Sequence, residues 1–235
     1  MGRRLCMGFL GLLLGLLTGC ATGPTANPQD PLEPYNRSMF AFNDAVDRTV
    51  LKPVATAYRD NVPSLIRQGV NNFFANLEDA WSVVNNLLQF KGAAAAESFM
   101  RFNVNTFFGL AGVLDVASEM GMEKHPEDFG QTLGHWGIGP GPYVVLPLLG
   151  PSSVRDTVAL PVDYKGDLVT RVEDVPVRNS LAGLRIVDTR AKYLGLDKVM
   201  EQAALDKYSF TRDAYLQRRR SAVYDGNPPD TGLEE

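Results

Sequence analysis

Cysteine, histidine and clustered charge are scarce in this 235-residue sequence, and each shortage removes a class of function. Its cysteines are Cys6 and Cys20 and its histidines His125 and His135. Two widely separated thiols and two histidines with nine residues between them match no common metal-ligand spacing, so no metal site is expected. Serine hydrolysis would need a Gly-x-Ser-x-Gly elbow or a serine paired with a histidine base. The elbow is absent, and Ser152-Ser153 follow a proline where helix capping is the ordinary role. The only dense basic cluster is Arg218-Arg219-Arg220 in a chain of net charge −4, which excludes nucleic acid as a partner.

Long apolar runs are lacking too. Leu5 to Leu17 is about 13 residues, too short for the roughly 20 that cross a bilayer. It follows Arg3-Arg4 and precedes Leu17-Thr18-Gly19-Cys20, the order of a secretory signal peptide, here ending in a lipobox. Residues 1–19 are therefore read as a leader that is removed, and Cys20 as lipid-modified. The alternative, an ordinary secreted chain, would leave Cys20 as a free thiol with no partner in an oxidising compartment. Three acyl chains, each buried CH₂ worth about 0.8 kcal/mol, would hold the chain on a membrane permanently. The remaining 216 residues carry a formal charge of −6, and the length suits one domain.

Residues 20–29 read as the acylated cysteine and a flexible tether, with folded structure expected from Asp30 to about 225 and a disordered tail over 226–235. Tyr35, Met39, Phe42, Val46 and Val50 recur at helical spacing until Pro53, where a break or kink is expected. A second helix starts at Pro63-Ser64 and carries Ile66, Val70, Phe73, Leu77, Trp81, Val84 and Leu88 on one face. Asn71, Asn72, Asn76, Asn85 and Asn86 lie on the other, a costly choice for a helix that suggests use for lipid headgroups or a partner. A last helical region spans Val187 to Tyr224, with a break expected near Gly195. Tyr143–Leu146 is the best strand candidate.

Two stretches carry the functional argument. Phe99 to Leu114 is apolar nearly all round yet holds Arg101, Asn103, Asn105 and Thr106, so it fails as a spanning helix. It reads either as a buried core helix or, given the lipid anchor, as a helix against a membrane interface. In the second case Phe99, Phe102, Phe107, Phe108 and Leu110 are the lipid-facing candidates. The other stretch, Phe129 to Pro151, holds six glycines and four prolines among apolar residues. A phosphate cradle is excluded because Pro140 and Pro142 stand where N–H donors are needed. A mobile element meeting something apolar remains.

The lipobox, Asp30-Pro31-Leu32-Glu33-Pro34-Tyr35-Asn36-Arg37, the run Phe129 to Tyr143 with Leu146-Pro147, and Asp206-Lys207-Tyr208 with Arg212 to Arg218 together resemble the MlaA (VacJ) outer-membrane lipoproteins. The resemblance implies an all-α fold of amphipathic helices forming a ring-like, membrane-interfacial structure around a central channel, with a Gly/Pro-rich hairpin. It implies a lipid-anchored protein in the inner leaflet of the outer membrane, on its periplasmic side. There it removes mislocalised phospholipid from the outer leaflet and hands it to a soluble periplasmic carrier resembling MlaC. It also implies association with a trimeric porin, no hydrolysis and no cofactor. Gly134, Trp136, Gly137, Gly139, Gly141 and Tyr143 fall in the implied channel hairpin, Gly137 and Gly139 as its hinge. The alternative is a structural lipoprotein without transport, which would share the anchor but not need the hairpin.

Overall fold

The computed structural model describes residue 27 and residues 30–229, with the side chains of 198–203 left out. The expected leader, Cys20, nearly all of the tether and residues 230–235 lie outside the described residues. The chain is predominantly helical, as expected, with one two-stranded sheet among the described residues.

Helix α1 (Glu33–Val46) opens with Pro34 in its first turn, where a missing N–H costs nothing. The expected break at Pro53 is instead a π-helical segment, Asp47–Leu51, that runs directly into α2 (Lys52–Asn61). Lys52 N–H donates to the Asp47 carbonyl five residues back, a wider turn that makes room for the proline ring.

Helix α3 (Ser64–Leu88) starts after Pro63 as predicted and packs antiparallel along α4 (Gly92–Phe107), joined by a turn at Phe90. A short α5 (Val116–Glu119) is capped by Asp115, and α6 (Phe129–His135) by Asp128, each side chain accepting from a first-turn N–H. Strand β1 (Tyr143–Leu146) is found where expected. Its antiparallel partner β2 (Gly150–Ser153) was not foreseen, because Gly-Pro-Ser-Ser is poor strand material. Ser153 then caps α7 (Val154–Gly166), as read from the sequence.

The last two helices depart from expectation. Helix α8 (Val175–Ala203) begins earlier than predicted and passes through Gly195 without interruption; the break falls at 204–206, where Asp206 caps α9 (Lys207–Val223). One glycine costs a helix only about 1 kcal/mol. Against that, Arg190 binds Asp47 through Nε and one terminal nitrogen at 2.6 and 2.8 Å, and Ala191 and Leu194 pack on Ala55 of α2. Of the expected tail, residues 226 and 227 close back on α9 through Gly226 N–H to Ser221 O and Asn227 N–H to Tyr224 O.

What holds these elements together is largely polar. Asn36, Asn85, Asn86, Ser98 and Arg101 are fully buried. The apolar clusters are small: Tyr143, Val145 and Tyr208 form one, Ala55, Ala191 and Leu194 another.

Candidate functional site

The asparagine face of α3 is engaged within the fold. It faces inward: Asn76 Nδ2 donates to Thr106 Oγ1 of α4 at 2.9 Å, Asn86 Nδ2 to the His125 carbonyl at 3.1 Å, and Thr132 of α6 donates to Asn85 Oδ1 at 2.9 Å. Asn72 and Asn71 are also engaged, with the Val113 carbonyl and with Lys192. A polar stripe turned inward leaves the apolar stripe outside. Leu65, Ile66, Val84, Leu87 and Leu88 of the same helix are exposed.

The same inversion marks the α4 region. Phe107 is 76% exposed and Phe108 74%, with Phe99 and Leu110 also exposed and Phe102 half-buried, while Arg101 is completely buried. Arg101 donates to the Met122 carbonyl, Asp115 and Ser118. Of the polar residues that excluded a spanning helix, Arg101, Asn105 and Thr106 thus serve the interior, while Asn103 bonds the Phe99 carbonyl of its own helix. Gly69 of α3 lies against Val113, where an added Cβ would come within 2.9 Å, so the start of α3 and the turns after α4 form one end of the molecule. There Leu65, Ile66, Val70, Phe73, Val113 and Leu184 line a cavity of about 430 Å³. Leu110 and, at the opposite end of the α3–α4 pair, Phe90 adopt positive φ (54° and 60°), a conformation unusual for bulky side chains. No described helix is long and apolar enough to cross a membrane.

The Gly/Pro stretch splits into three parts. Gly134 belongs to α6, where a Cβ would meet Arg155 and Val223 within 2.9 Å, so close packing demands glycine. Residues 136–142 form an exposed strap. The antiparallel hairpin comes one element later, at 143–153, than the expected 134–142. Trp136 closes the end of α3 by donating Nε1–H to the Leu88 carbonyl at 3.0 Å and packs edge-on against Phe129. Gly137 and Gly141 take φ of +89° and +66°; Gly139 does not.

The strap is held along one edge. Its carbonyls at 138, 140 and 142 accept from the Arg155 guanidinium, Arg155 N–H and Val154 N–H. Its other edge is open to solvent. Tyr143 is not part of this exposed strap; it is fully buried between Tyr208 and Tyr215.

Behind the strap lies a cavity of about 530 Å³, walled by Gly134, Ile138, Pro140, Tyr215, Leu216 and Val223. Its floor is an ion cluster. Arg219 binds Asp128 at 2.6 and 3.0 Å and Asp156 at 2.9 and 3.0 Å, and the Tyr215 hydroxyl donates to Asp156 at 2.6 Å. Burial alone would raise the Asp156 pKa, but hydrogen bonds from Arg219 and Tyr215 outweigh it and hold the carboxyl at about 2. Arg219 thereby ties the starts of α6 and α7 to α9.

The motifs at the two ends of the domain also meet. Asn36 and Asn43, two helical turns apart, cover the free edge of β1. Asn36 donates to Tyr143 O and accepts from Val145 N–H, and Asn43 does the same with Leu146 O and Leu148 N–H, at 2.7 to 3.0 Å. Asp30 accepts from Asn36, the Tyr208 hydroxyl and Arg212; Arg37 pairs with Asp206 at 2.7 Å and lies over the Tyr208 ring. Asparagines at i and i+7 of α1 were the available signal for the first of these contacts, and it was missed.

Comparison with known proteins gives a consistent result. The family model described as MlaA lipoprotein matches residues 28–222. The intermembrane phospholipid transport system lipoprotein MlaA of Escherichia coli is 38% identical over 199 residues, 80% of this chain and 76% of the relative. That of Haemophilus influenzae is 36% identical over 220 residues, 91% of this chain and 87% of the relative. A solved structure reported as the structural basis for maintenance of bacterial outer membrane lipid asymmetry is 36% identical, with a TM-score of 0.73, covering 84% of this chain and 99% of that one. From the strap to the paired terminal motifs, fold and sequence agree: the chain belongs to the MlaA lipoprotein family.

Proposed function

We propose that this protein removes mislocalised phospholipid from the outer leaflet of the outer membrane and passes it to a soluble periplasmic carrier, preserving lipid asymmetry. The observation that carries this is the inverted burial: asparagine, arginine and aspartate inside, phenylalanine and leucine outside. A water-soluble protein hides its large apolar side chains; one immersed in acyl chains does the reverse. Family membership supplies the direction of the reading, since the relatives are transport-system lipoproteins.

The protein sits at the inner leaflet, held by acylated Cys20, with its helices arranged as a ring around a channel and a trimeric porin beside it. A double-tailed lipid crossing water exposes many CH₂ groups at about 0.8 kcal/mol each, so a shielded route with one apolar and one wet side lowers the barrier without any bond being made. The strap at 136–142, open on one edge, lies where it can adjust that route. The protein is not an enzyme in this reading.

The test is phospholipid exposed in the outer leaflet of cells lacking the gene, with wild-type and Cys20→Ser copies restored separately. Exposure rising on deletion and corrected only by the wild-type copy supports both removal and the anchor. Exposure that never rises leaves a structural lipoprotein as the better reading.

A further inference from the structure

A second and larger cavity, about 1080 Å³, lies on the far side of α9 from the strap cavity, between that helix, the start of α4 and the segment 124–127. Gln217 borders both cavities. Ala93, Ala94, Pro126, Ala214 and Ala222 give this one much of its wall, and its charged rim is uneven in a revealing way.

Every carboxylate on the rim is already engaged. Glu97 accepts from the Glu123 N–H at 2.7 Å and faces His125 at 2.9 Å; Glu127 accepts from Gln89 and Lys91; Asp225 accepts from Lys91 at 2.6 Å. Two cations on the rim are not engaged. Among the described residues, Lys124 and Arg218 have neither an ion pair nor a side-chain hydrogen bond; Lys124 feels Glu78 and Asp79 only as a longer-range field. An incoming anion therefore finds two available cations and no competing free carboxylate.

The start of α4 agrees. Gly92, Ala93 and Ala94 form the first turn of this 16-residue helix, which no side chain caps, so its positive end borders the cavity.

We infer that this cavity is a headgroup site for a phosphodiester such as phosphoethanolamine or phosphoglycerol, with Lys124 and Arg218 taking the phosphate. A concave, largely carbon-walled cavity fits a small amphiphile better than a flat acidic protein surface. The inference rests on the lipid-transfer reading above and adds a location and a chemistry to it.

The test uses the full lipidated chain in detergent, wild type and the double variant Lys124→Gln/Arg218→Gln, with labelled dioleoyl phosphatidylethanolamine, dioleoylglycerol, glycerophosphoethanolamine and inorganic phosphate as probes. Both residues are exposed in the structure, so the variant should keep its unfolding temperature. Phosphatidylethanolamine retention should fall by at least about tenfold, as expected for lost charge-assisted hydrogen bonds, while dioleoylglycerol retention stays unchanged. Glycerophosphoethanolamine should compete with the wild type and not with the variant. Retention within twofold of wild type, or equal loss of dioleoylglycerol, overturns the site. Inorganic phosphate competing as well as glycerophosphoethanolamine would make it a free-phosphate site and overturn the lipid assignment. If wild-type protein fails to correct outer-leaflet lipid in cells, the transfer reading falls; if it succeeds and the binding difference is absent, only the headgroup site falls.

Discussion

Gly137 and Gly139 sit two residues apart in one exposed strap and ask different things of a side chain. Neither has an atom within 4 Å of an added Cβ, so space is not the issue; Gly137 alone has φ of +89°. A β-branched residue there is strained by about 1–3 kcal/mol, whereas an exposed, unstrained position tolerates change within about 0.5 kcal/mol. Gly137→Val should therefore lower the unfolding midpoint in detergent measurably and Gly139→Val should not. Equal effects would mean that the strap reorganises on substitution. Asp156 gives a pH prediction. Its carboxyl is depressed from 3.8 to about 2, so its contribution is fully present above about pH 4 and is lost as pH falls toward 2. Asp156→Asn should cost about 2 kcal/mol at pH 7. The gap from wild type should shrink between pH 4 and pH 2 in urea unfolding. Glu127 acts in the opposite sense. Burial raises its pKa, against hydrogen bonds from Lys91 and Gln89, so its protonation favours the folded state as pH falls.

At the scale of elements, the sequence was most legible where a local signal and the packing agree. Pro63-Ser64 started α3, Ser153 capped α7 and Tyr143–Leu146 formed a strand because proline, serine and β-branched residues each favour those conformations without outside help. It was least legible where distant contacts decide. Strand β2 exists because β1 offers it a ladder, and α8 crosses Gly195 because Asp47 and Ala55, more than 130 residues earlier in the chain, hold it. The asparagine face of α3 misled in an instructive way: a polar stripe was visible, but which side faced solvent depends on the environment. Its packing also fixes the junction with α7. Trp81 of α3 donates to Asp163 at 2.8 Å, and a Cβ on Gly166 would meet its ring at 2.4 Å. Gly166→Ala should destabilise by about 1–3 kcal/mol through overpacking, and fluorescence of Trp81 should shift as its ring is displaced. An unchanged unfolding midpoint would show that the ring has room to move aside.

Over the whole molecule, a polar interior and an apolar exterior make sense only if the surroundings are not water. Interior asparagines satisfy backbone groups that lipid could never satisfy, as Asn36 and Asn43 do along β1. Exterior phenylalanines gain about 1.5–3 kcal/mol each on full burial, but only from a membrane. It follows that membrane affinity and fold stability are carried by different residues and can be separated. In a Cys20→Ser background, which removes the acyl chains, the protein should still bind phospholipid vesicles through its exterior. Replacing Phe107, Phe108 and Leu110 together with serine should cut vesicle partitioning at least about tenfold, because three partly inserted side chains lose several kcal/mol of transfer energy between them. The same triple variant should unfold in detergent near the wild-type temperature, since Phe107 and Phe108 are three-quarters exposed and exposed positions contribute little to stability. Flotation on a density gradient measures the first quantity and a thermal melt the second. Vesicle binding that survives the triple substitution would move the membrane contact to another face, with Phe90 at the opposite end of the α3–α4 pair the next position to change.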